Sequence, residues 1–560
     1  MPIINIAVFG PVDQGKSTLI GYLYTAVTSF DLNSYLSRIR TTDWYREDMK
    51  YAYLVDRLDE ERRGHLEEKK GKSGVQERRG IGTSRDVHHV DVRLNNRVYM
   101  FIDNPGHADL IKSSSRGVFQ GDHGVFVLAA DDLMKNYDRI MEAIQSDDYD
   151  LYRTTTFKDF LLPLTVAINF GMENLIVTLS KMDTIGYSKV GYTKCEELIR
   201  KFLTLRVKHG AEKVSIVPIA IDVHHELDHN VVTSSERLSG YGKTLLKALE
   251  GLPDVPPSAS NRLYIPVEKF WTRIPGHSLV VAGKIMAGRL EMNKPIKFGP
   301  VKPKGKGKPY SMLLGRVKSV QIRSQSSRPQ TPITKSGKEF WSRFSSKEVY
   351  DAGSIVSISI VSAEREVKYL SHQIVTDATA RVSLGRVASI HFGQDTPTLY
   401  VGEECRMLID GRFVPNPTFI GFDRGDGEAE LHSMELNVPV AVPFLEDSSK
   451  GPKVVLLRND GIYSGNIVRS GECIVQKIKM VFELPIRHLE LAAVSFFVER
   501  GLIRPEDLAK NDLEITIDVT TRNTTEMRQI RRKIYALGKE AVELRNAVFE
   551  SYVKIEPTFE

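Results

Sequence analysis

Short apolar runs alternate with longer stretches of helical periodicity over the first half of the chain. INIAVF, RVYMFI, GVFVLAA, ENLIVTL and VSIVPIAI read as strands, while TLIGYLYTAV, FKDFLLPLTVAINF, CEELIRKFLTL and TLLKALEGL read as helices. Runs that are apolar throughout, rather than alternating, suit strands covered on both faces, so the pattern predicts βαβ units around a mainly parallel sheet. The Pro- and Ser-rich stretch PDVPPSAS at 253–260 closes this region and predicts a first domain over residues 1–256. Beyond it the texture changes to short strands between Gly and Pro turns. That predicts two consecutive β-barrels, over 262–375 and 376–475. Residues 476–560 return to mixed character: DLEITIDVTT alternates as a strand, the stretch opening TTEMRQIRRKIYAL is a long helix and VKIEP is a closing strand, which together make a small C-terminal α/β extension.

The chemistry sits in three loops, each following a predicted strand. After INIAVF comes GPVDQGKS at 10–17, with Gly10 and Gly15 in a tight loop and Lys16 and Ser17 opening a helix. In this arrangement backbone N–H groups and a helix N-terminus wrap a phosphate, the lysine reaches the β- and γ-phosphates, and the serine hydroxyl ligates Mg²⁺. After RVYMFI comes DNPGH at 103–107, where Asp103 supports a metal shell and Gly106 offers its N–H to a γ-phosphate. After ENLIVTL comes SKMD at 180–183. Its carboxylate, Asp183, can accept from the N1–H and exocyclic amine of guanine while the Lys181 stem covers the ring. Three such loops at the carboxyl end of a parallel sheet surround one nucleotide, and they argue for a GTPase rather than an ATPase.

Bulk properties add little that is specific. A length of 560 residues predicts three or four domains, and 41% apolar with 26% charged residues is ordinary for a soluble chain. No apolar run is long enough to cross a bilayer, and Met1-Pro2-Ile3 leads directly into the first strand, so neither a membrane nor a signal peptide is expected. Cys195, Cys405 and Cys473 are too few and too scattered for a disulfide framework or a zinc site, which makes a cytoplasmic setting the expectation. The net charge of +6 allows an RNA partner without requiring one.

GPVDQGKST, DNPGHADLIK, SKMD and KTLLKALEGLPDVP resemble the elongation factor 1-alpha / Tu family of translational GTPases, with its archaeal and eukaryotic branch the nearer in character. MKYAYLVDRLDEERRG at 49–64 is similar to the segment preceding switch I in that family. IPGHSLVVAGKIMAGRLEMNKPIKFGP (274–300) and KVVLLRNDGIYSGNIV (453–468) are similar to its second and third domains. The resemblance implies GTP or GDP as ligand with Mg²⁺, held by Gly10, Asp13, Gln14, Gly15, Lys16, Ser17, Thr18, Gly106, Ser180, Lys181, Asp183, Ala220 and Ile221. It implies Ser17, Thr83 and Asp103 around the metal and His107 as the catalytic histidine, which orients the attacking water by positioning and electrostatics. Val12 and Ile81 match the apolar pair that gates this histidine.

Departures from the family pattern accumulate. Glu61-Arg62-Arg63-Gly64 and Glu77-Arg78-Arg79-Gly80 both resemble the approach to switch I, with the charged HLEEKKGKSGVQ between them; Thr83 in the second copy is the candidate γ-phosphate sensor and Ser84 its alternative. Ser180 stands where the family has Asn, a change expected to cost hydrogen bonds to the purine and the phosphate loop. Pro11 and Gln14 stand where elongation factors often carry histidines, and Ala220 replaces a serine while keeping its N–H. These point to a specialised paralogue acting on the ribosome, with tRNA or a tRNA-mimicking protein as cargo and a nucleotide exchange factor as a further partner. The alternatives are the GTPase subunit of an ATP-sulfurylase-like complex and a nucleotide-gated ribosome-binding protein with negligible turnover. Within the first barrel, an insertion over 301–348 interleaves Lys302, Lys304, Lys306, Lys308, Arg343 and Lys347 with Phe340, Trp341 and Phe344. It reads as an RNA contact or as a solvated loop. The cluster Gln529-Ile530-Arg531-Arg532-Lys533 likewise reads as an RNA anchor or as the outer face of an amphipathic helix.

Overall fold

The computed structural model describes residues 3–55 apart from 29, 38 and 43–44, and then 87–106, 111–145, 155–172, 174–207, 214–221, 230–255, 260–272, 279–305, 308–322, 349–362, 367–393, 395–424, 430–444, 451–458, 461–482, 486–489, 491–510, 513–519, 524–543 and 547–559. The chain divides into two compact units. One holds residues 1–257, 320–347 and 352–357, and the other holds 258–319, 348–351 and 358–560.

In the first unit, β1 (Ile3–Phe9), β2 (His88–Leu94), β3 (Arg97–Asp103), β4 (His123–Ala129), β5 (Leu175–Ser180) and β6 (Ser215–Pro218) form one sheet in the order β2-β3-β1-β4-β5-β6. Every pairing is parallel except that of β2 with β3. Helices α1 (Lys16–Thr28), α2 (Leu32–Leu36), α3 (Ile111–Gln120), α4 (Ala130–Lys135), α5 (Tyr137–Gln145), α6 (Thr155–Asn169), α7 (Lys189–Phe202) and α8 (Leu245–Glu250) connect and flank the strands. β4 and β5 are buried along their whole length, which is why their sequences carry no alternation. Ile4, Ile6 and Val8 of β1 share one apolar cluster with Leu19, Ile20 and Leu23 of α1. From β1 the chain builds β2 and β3 on one side and then β4 to β6 on the other. The loop after β1 therefore lies at the switch point of the sheet, where open α/β sheets bind ligands.

The second unit contains most of a closed barrel and all of a larger sheet. β7 (Tyr264–Trp271), β8 (Leu279–Lys284), β9 (Arg289–Glu291), β10 (Pro295–Pro303), β11 (Ser311–Ile322), β12 (Val349–Asp351), β13 (Ile355–Ser362) and β14 (Val367–Asp377) come first. The barrel order is β10-β11-β13-β8-β7-β14, and β9 pairs with β12 beside it. There follow β15 (Val382–Phe392), β16 (Arg406–Ile409), β17 (Arg412–Val414), β18 (Thr418–Arg424), β19 (Glu430–Pro443), β20 (Lys453–Leu457) and β21 (Ile462–Phe482), then α9 (Leu491–Glu499), β22 (Leu513–Val519), α10 (Thr524–Glu543), β23 (Ala547–Glu556) and β24 (Thr558–Phe559).

These later strands form one sheet in the order β17-β16-β20-β21-β23-β18-β19-β15-β24, with β22 beside β21. Because β15 also pairs with β21, the strands β21, β23, β18, β19 and β15 close a circuit. β21 runs unbroken through position 475, and β23, from the end of the chain, is one stave of the closed circuit. The C-terminal α/β segment thus shares strands with this second barrel. Ile478, Met480 and Phe482 pack in the same cluster as Ile390, Met434 and Leu436 and as Ile530, Ile534 and Leu537 of α10. Among the described residues no helix is long and apolar enough to cross a membrane.

Candidate nucleotide-binding site

The loop after β1 owes its shape to residues that accept a left-handed backbone. Gly10 has φ +145, and a side chain there would put a Cβ 2.2 Å from the Val127 carbonyl oxygen. Asp13 has φ 59 and Gly15 φ 88. Alternating the hand of successive residues turns their N–H groups to a common side, the concave arrangement that receives an anion, and α1 starts directly behind it at Lys16. Lys16 is buried, with its ammonium donating to the Pro11 carbonyl. The loop after β3 comes so close that a Cβ on Gly106 would lie 2.5 Å from the Lys16 ammonium and 2.6 Å from the Pro11 oxygen.

Ser17 and Asp103 meet here. The Ser17 hydroxyl donates to Asp103 Oδ2 at 2.7 Å, across 86 residues of sequence, and Asp103 is fully buried at the end of β3. A hydroxyl beside a carboxylate is a pair of hard oxygen donors, the kind Mg²⁺ takes, so the two residues fit that ion.

The third loop brings Lys181 in a left-handed conformation, φ 55, followed by a tight turn over Met182–Ile185 and Gly186 at φ 61. This turn buries Met182 and leaves Asp183 exposed at the surface of the loop, free to meet a base. The backbone of β6's loop is stitched to it: Ile219 donates to Leu179 O at 2.8 Å and its own carbonyl accepts from Met182 N at 3.2 Å. Ala220 and Ile221 follow directly, Ala220 buried and Ile221 half-buried. Thr18 and Val12 are half-buried on the phosphate loop and its helix.

Two side chains tie the loops together. The Ser180 side chain keeps a link to the phosphate loop, because its hydroxyl lies 2.8 Å from Gln14 O and 3.2 Å from Leu128 O. Gln14 turns inward. Only 2% exposed, its side chain donates to Asp132 Oδ2 at 2.8 Å and accepts from the Ala129 N–H. Asn104 is a positioning group that the sequence reading missed. Its amide donates to Val8 O at 3.0 Å and Ile102 O at 3.1 Å, tying the β3 loop to β1, and a Cβ on Gly117 would collide with its side-chain oxygen. His107, Thr83, Ser84 and Ile81 lie outside the described residues, as does the charged segment 65–76.

Residues 1–252 match the family described as the elongation factor Tu GTP binding domain. The likeness to that family is carried by this first domain. Elongation factor 1-alpha from Thermococcus kodakarensis is 28% identical over 322 residues, 57% of this chain and 63% of that protein. The factor from Natronomonas pharaonis is 28% identical over 330 residues, 57% of this chain and 64% of its own length. The chain thus spans somewhat under two thirds of the curated relatives it matches. Among solved structures, the Saccharomyces cerevisiae Ski7 GTPase-like domain bound to GTP aligns with a TM-score of 0.58 at 14% identity, over 83% of this chain and 97% of that one. A bacterial selenocysteine-specific elongation factor, EF-Sec, aligns at TM-score 0.50 and 16% identity, over 91% of this chain and 63% of its own. At such identities these likenesses show a shared fold.

Outside the Tu-type domain, the two basic regions fall differently. Lys302 and Lys368 are both exposed and stand directly opposite each other on β10 and β14. The Lys302 ammonium is 5.9 Å from the Tyr310 ring centre, and the Tyr310 hydroxyl accepts from Arg386 at 2.5 Å. Lys304 and Lys308 are exposed on the same hairpin, whereas Lys306, Phe340, Trp341, Arg343, Phe344 and Lys347 lie outside the described residues. The arginines of α10 are engaged within the protein. Arg531 is 3% exposed and pairs with Glu435, and Arg532 pairs with Glu404 at 3.0 Å.

Proposed function

We propose that this protein binds GTP and GDP with Mg²⁺, hydrolyses GTP, and acts on the ribosome as an elongation-factor-like switch in a specialised role. The observation that carries the reading is the Ser17–Asp103 contact at 2.7 Å, made inside a left-handed phosphate loop and facing a base loop that exposes Asp183. The loop's backbone N–H groups and Lys16 would hold the phosphates, and Ser17 and Asp103 would hold the metal. When bound, Mg²⁺ would neutralise charge on the phosphate oxygens. Asp183 accepts from the two donors of guanine, which adenine lacks, so GTP is favoured over ATP. By the family resemblance, His107 orients the attacking water and Thr83 senses the γ-phosphate. The departures at switch I, Pro11, Gln14, Ser180 and Ala220 support a specialised paralogue. The exposed lysines at 302 and 368, which stand directly opposite each other, support an RNA-rich partner such as the ribosome.

Titration with fluorescent GTP and ATP analogues, followed by hydrolysis with and without ribosomes, tests the reading. GTP is expected to bind with Mg²⁺ and ATP to fail. Co-sedimentation with ribosomes is expected in the GTP form, and His107→Ala is expected to slow stimulated hydrolysis roughly 10²–10³-fold with binding retained. Equal affinity for GTP and ATP would overturn the nucleotide assignment. Full affinity for GTP without ribosome association would overturn the ribosomal role.

A further inference from the structure

Gln14 occupies the tip of the phosphate loop between two left-handed residues, Asp13 at φ 59 and Gly15 at φ 88, so its backbone has little freedom. Its side chain points away from the concave face and is buried against the end of β4. The amide oxygen accepts from the N–H of Ala129, the residue that ends β4 and caps α4. The amide nitrogen donates to Asp132 Oδ2 at 2.8 Å, with Val12 O at 3.2 Å as a second acceptor. The Gln14 carbonyl accepts in turn from Ser180 Oγ at 2.8 Å, and Ser180 directly precedes the base loop Lys181-Met182-Asp183. One residue therefore touches the phosphate loop, the first turn of α4 and the strand that carries the base loop.

A carboxamide suits this place because it offers a donor and an acceptor on one planar group. A short hydroxyl at 180 suits it because the reach from β5 to the loop carbonyl is only one hydrogen bond long. Asp132 is itself held, with Lys135 at 3.7 Å and its carbonyl accepting from Asn136 at 2.9 Å, so the anchor at the far end is fixed. Resting on the nucleotide-binding reading above, we propose that Gln14 is a positioning residue which, together with Ser180, latches the phosphate loop to the base loop through β4 and α4. Neither side chain need touch the ligand. They hold the two halves of the site as one body, so that opening either half to release nucleotide breaks the latch, and the latch sets how long nucleotide stays bound.

The test is release of a fluorescent GDP from the full-length protein, followed by stopped flow after mixing with excess unlabelled GDP. Gln14→Ala removes the hydrogen bonds to Ala129, Asp132 and Val12, one of them to a carboxylate, and is expected to speed release roughly tenfold or more. Gln14→Glu places a second buried carboxylate against Asp132 and removes the donor, so release is expected to be faster still. Adding Asp132→Asn to Gln14→Glu restores a donor–acceptor pair of reversed polarity at unchanged total charge, and the double variant is expected to return towards the parental rate. The thermal midpoint of each nucleotide-free variant separates loss of the latch from loss of the fold. Parental release from a folded Gln14→Ala, or no slowing of Gln14→Glu by Asp132→Asn, would overturn the latch. Failure of the parent itself to bind GDP would instead overturn the nucleotide reading on which it rests.

Discussion

Replacing Arg531 by methionine should cost far more stability than replacing its neighbour Arg532, although both belong to one basic cluster of α10. The Arg531 guanidinium is buried; one arm donates to the Glu435 carboxylate and Nε donates to Gln476 Oε1 at 3.0 Å. Gln476, fully buried on β21, donates onward to Ile420 O and to Ser551 Oγ at 3.0 Å on β23. Burial pushes the Arg531 pKa down and the Glu435 charge opposes that shift, as expected of a cation held by its partner. Methionine keeps the stem and removes the charge. Among the described residues that leaves Glu435, 12% exposed, with Arg528 at 3.6 Å. Stripping one partner from a buried ion pair costs about 3–5 kcal/mol. Arg532→Ala breaks a pair in which the arginine is 71% exposed, worth under about 1 kcal/mol. With a urea m-value near 2 kcal/mol/M, the first change lowers the midpoint by about 1.5–2.5 M and the second by under about 0.5 M. Because two compact units need not unfold together, the readout is hydrogen-exchange protection of β23 amides as urea rises. Equal loss from the two substitutions, or less than about 1 kcal/mol from Arg531→Met, would refute the claim that α10 is fastened to the barrel through this arginine.

Two more outcomes follow from the geometry. His432 is caged by Phe392, Phe419 and Phe422, with ring centres 5.0, 5.8 and 4.8 Å away, and burial lowers its pKa to about 4. A base depressed in the folded state takes its proton first when unfolded, so stability is lost as pH falls from about 6.5 towards 4, by at most about 3 kcal/mol; His432→Phe should flatten that part of the stability–pH curve, and an unchanged slope would count against the cage. Gly106→Ala forces a methyl against the Lys16 ammonium and the Pro11 carbonyl, so nucleotide affinity measured by titration should fall at least tenfold, and parental affinity would show that the two loops are not in contact.

What the sequence could reveal depended on how local each signal is. The phosphate loop was legible because its parts lie within eight residues, and each glycine there answers a backbone requirement that spacing alone predicts: Gly10 and Gly15 have positive φ, and α1 begins at Lys16. The sheet was legible because parallel strands buried on both faces lose the alternation that would mark a solvated face. The fit of Asn104 against Gly117 was not legible, since a polar side chain in a turn carries no sign that a helix from further along the chain will close over it. Nor was the destination of the Gln14 amide, which is decided by Asp132, 118 residues away. The second barrel shows the same limit on a larger scale. β18 pairs in parallel with β23 through Phe422–Tyr552 and Asp423–Val553, a partnership across 130 residues that hydrophobic patterning leaves open. Two adjacent arginines, 531 and 532, look equivalent in sequence, yet helical geometry turns them about 100° apart, so one faces the barrel and the other faces water. A run of cations on a helix therefore says little about nucleic acid until each charge has been checked for a carboxylate of its own. In this chain that check finds a carboxylate for each arginine, Glu435 holding the buried Arg531 and Glu404 meeting Arg532 at the surface, so only the second charge is still presented to a partner in water.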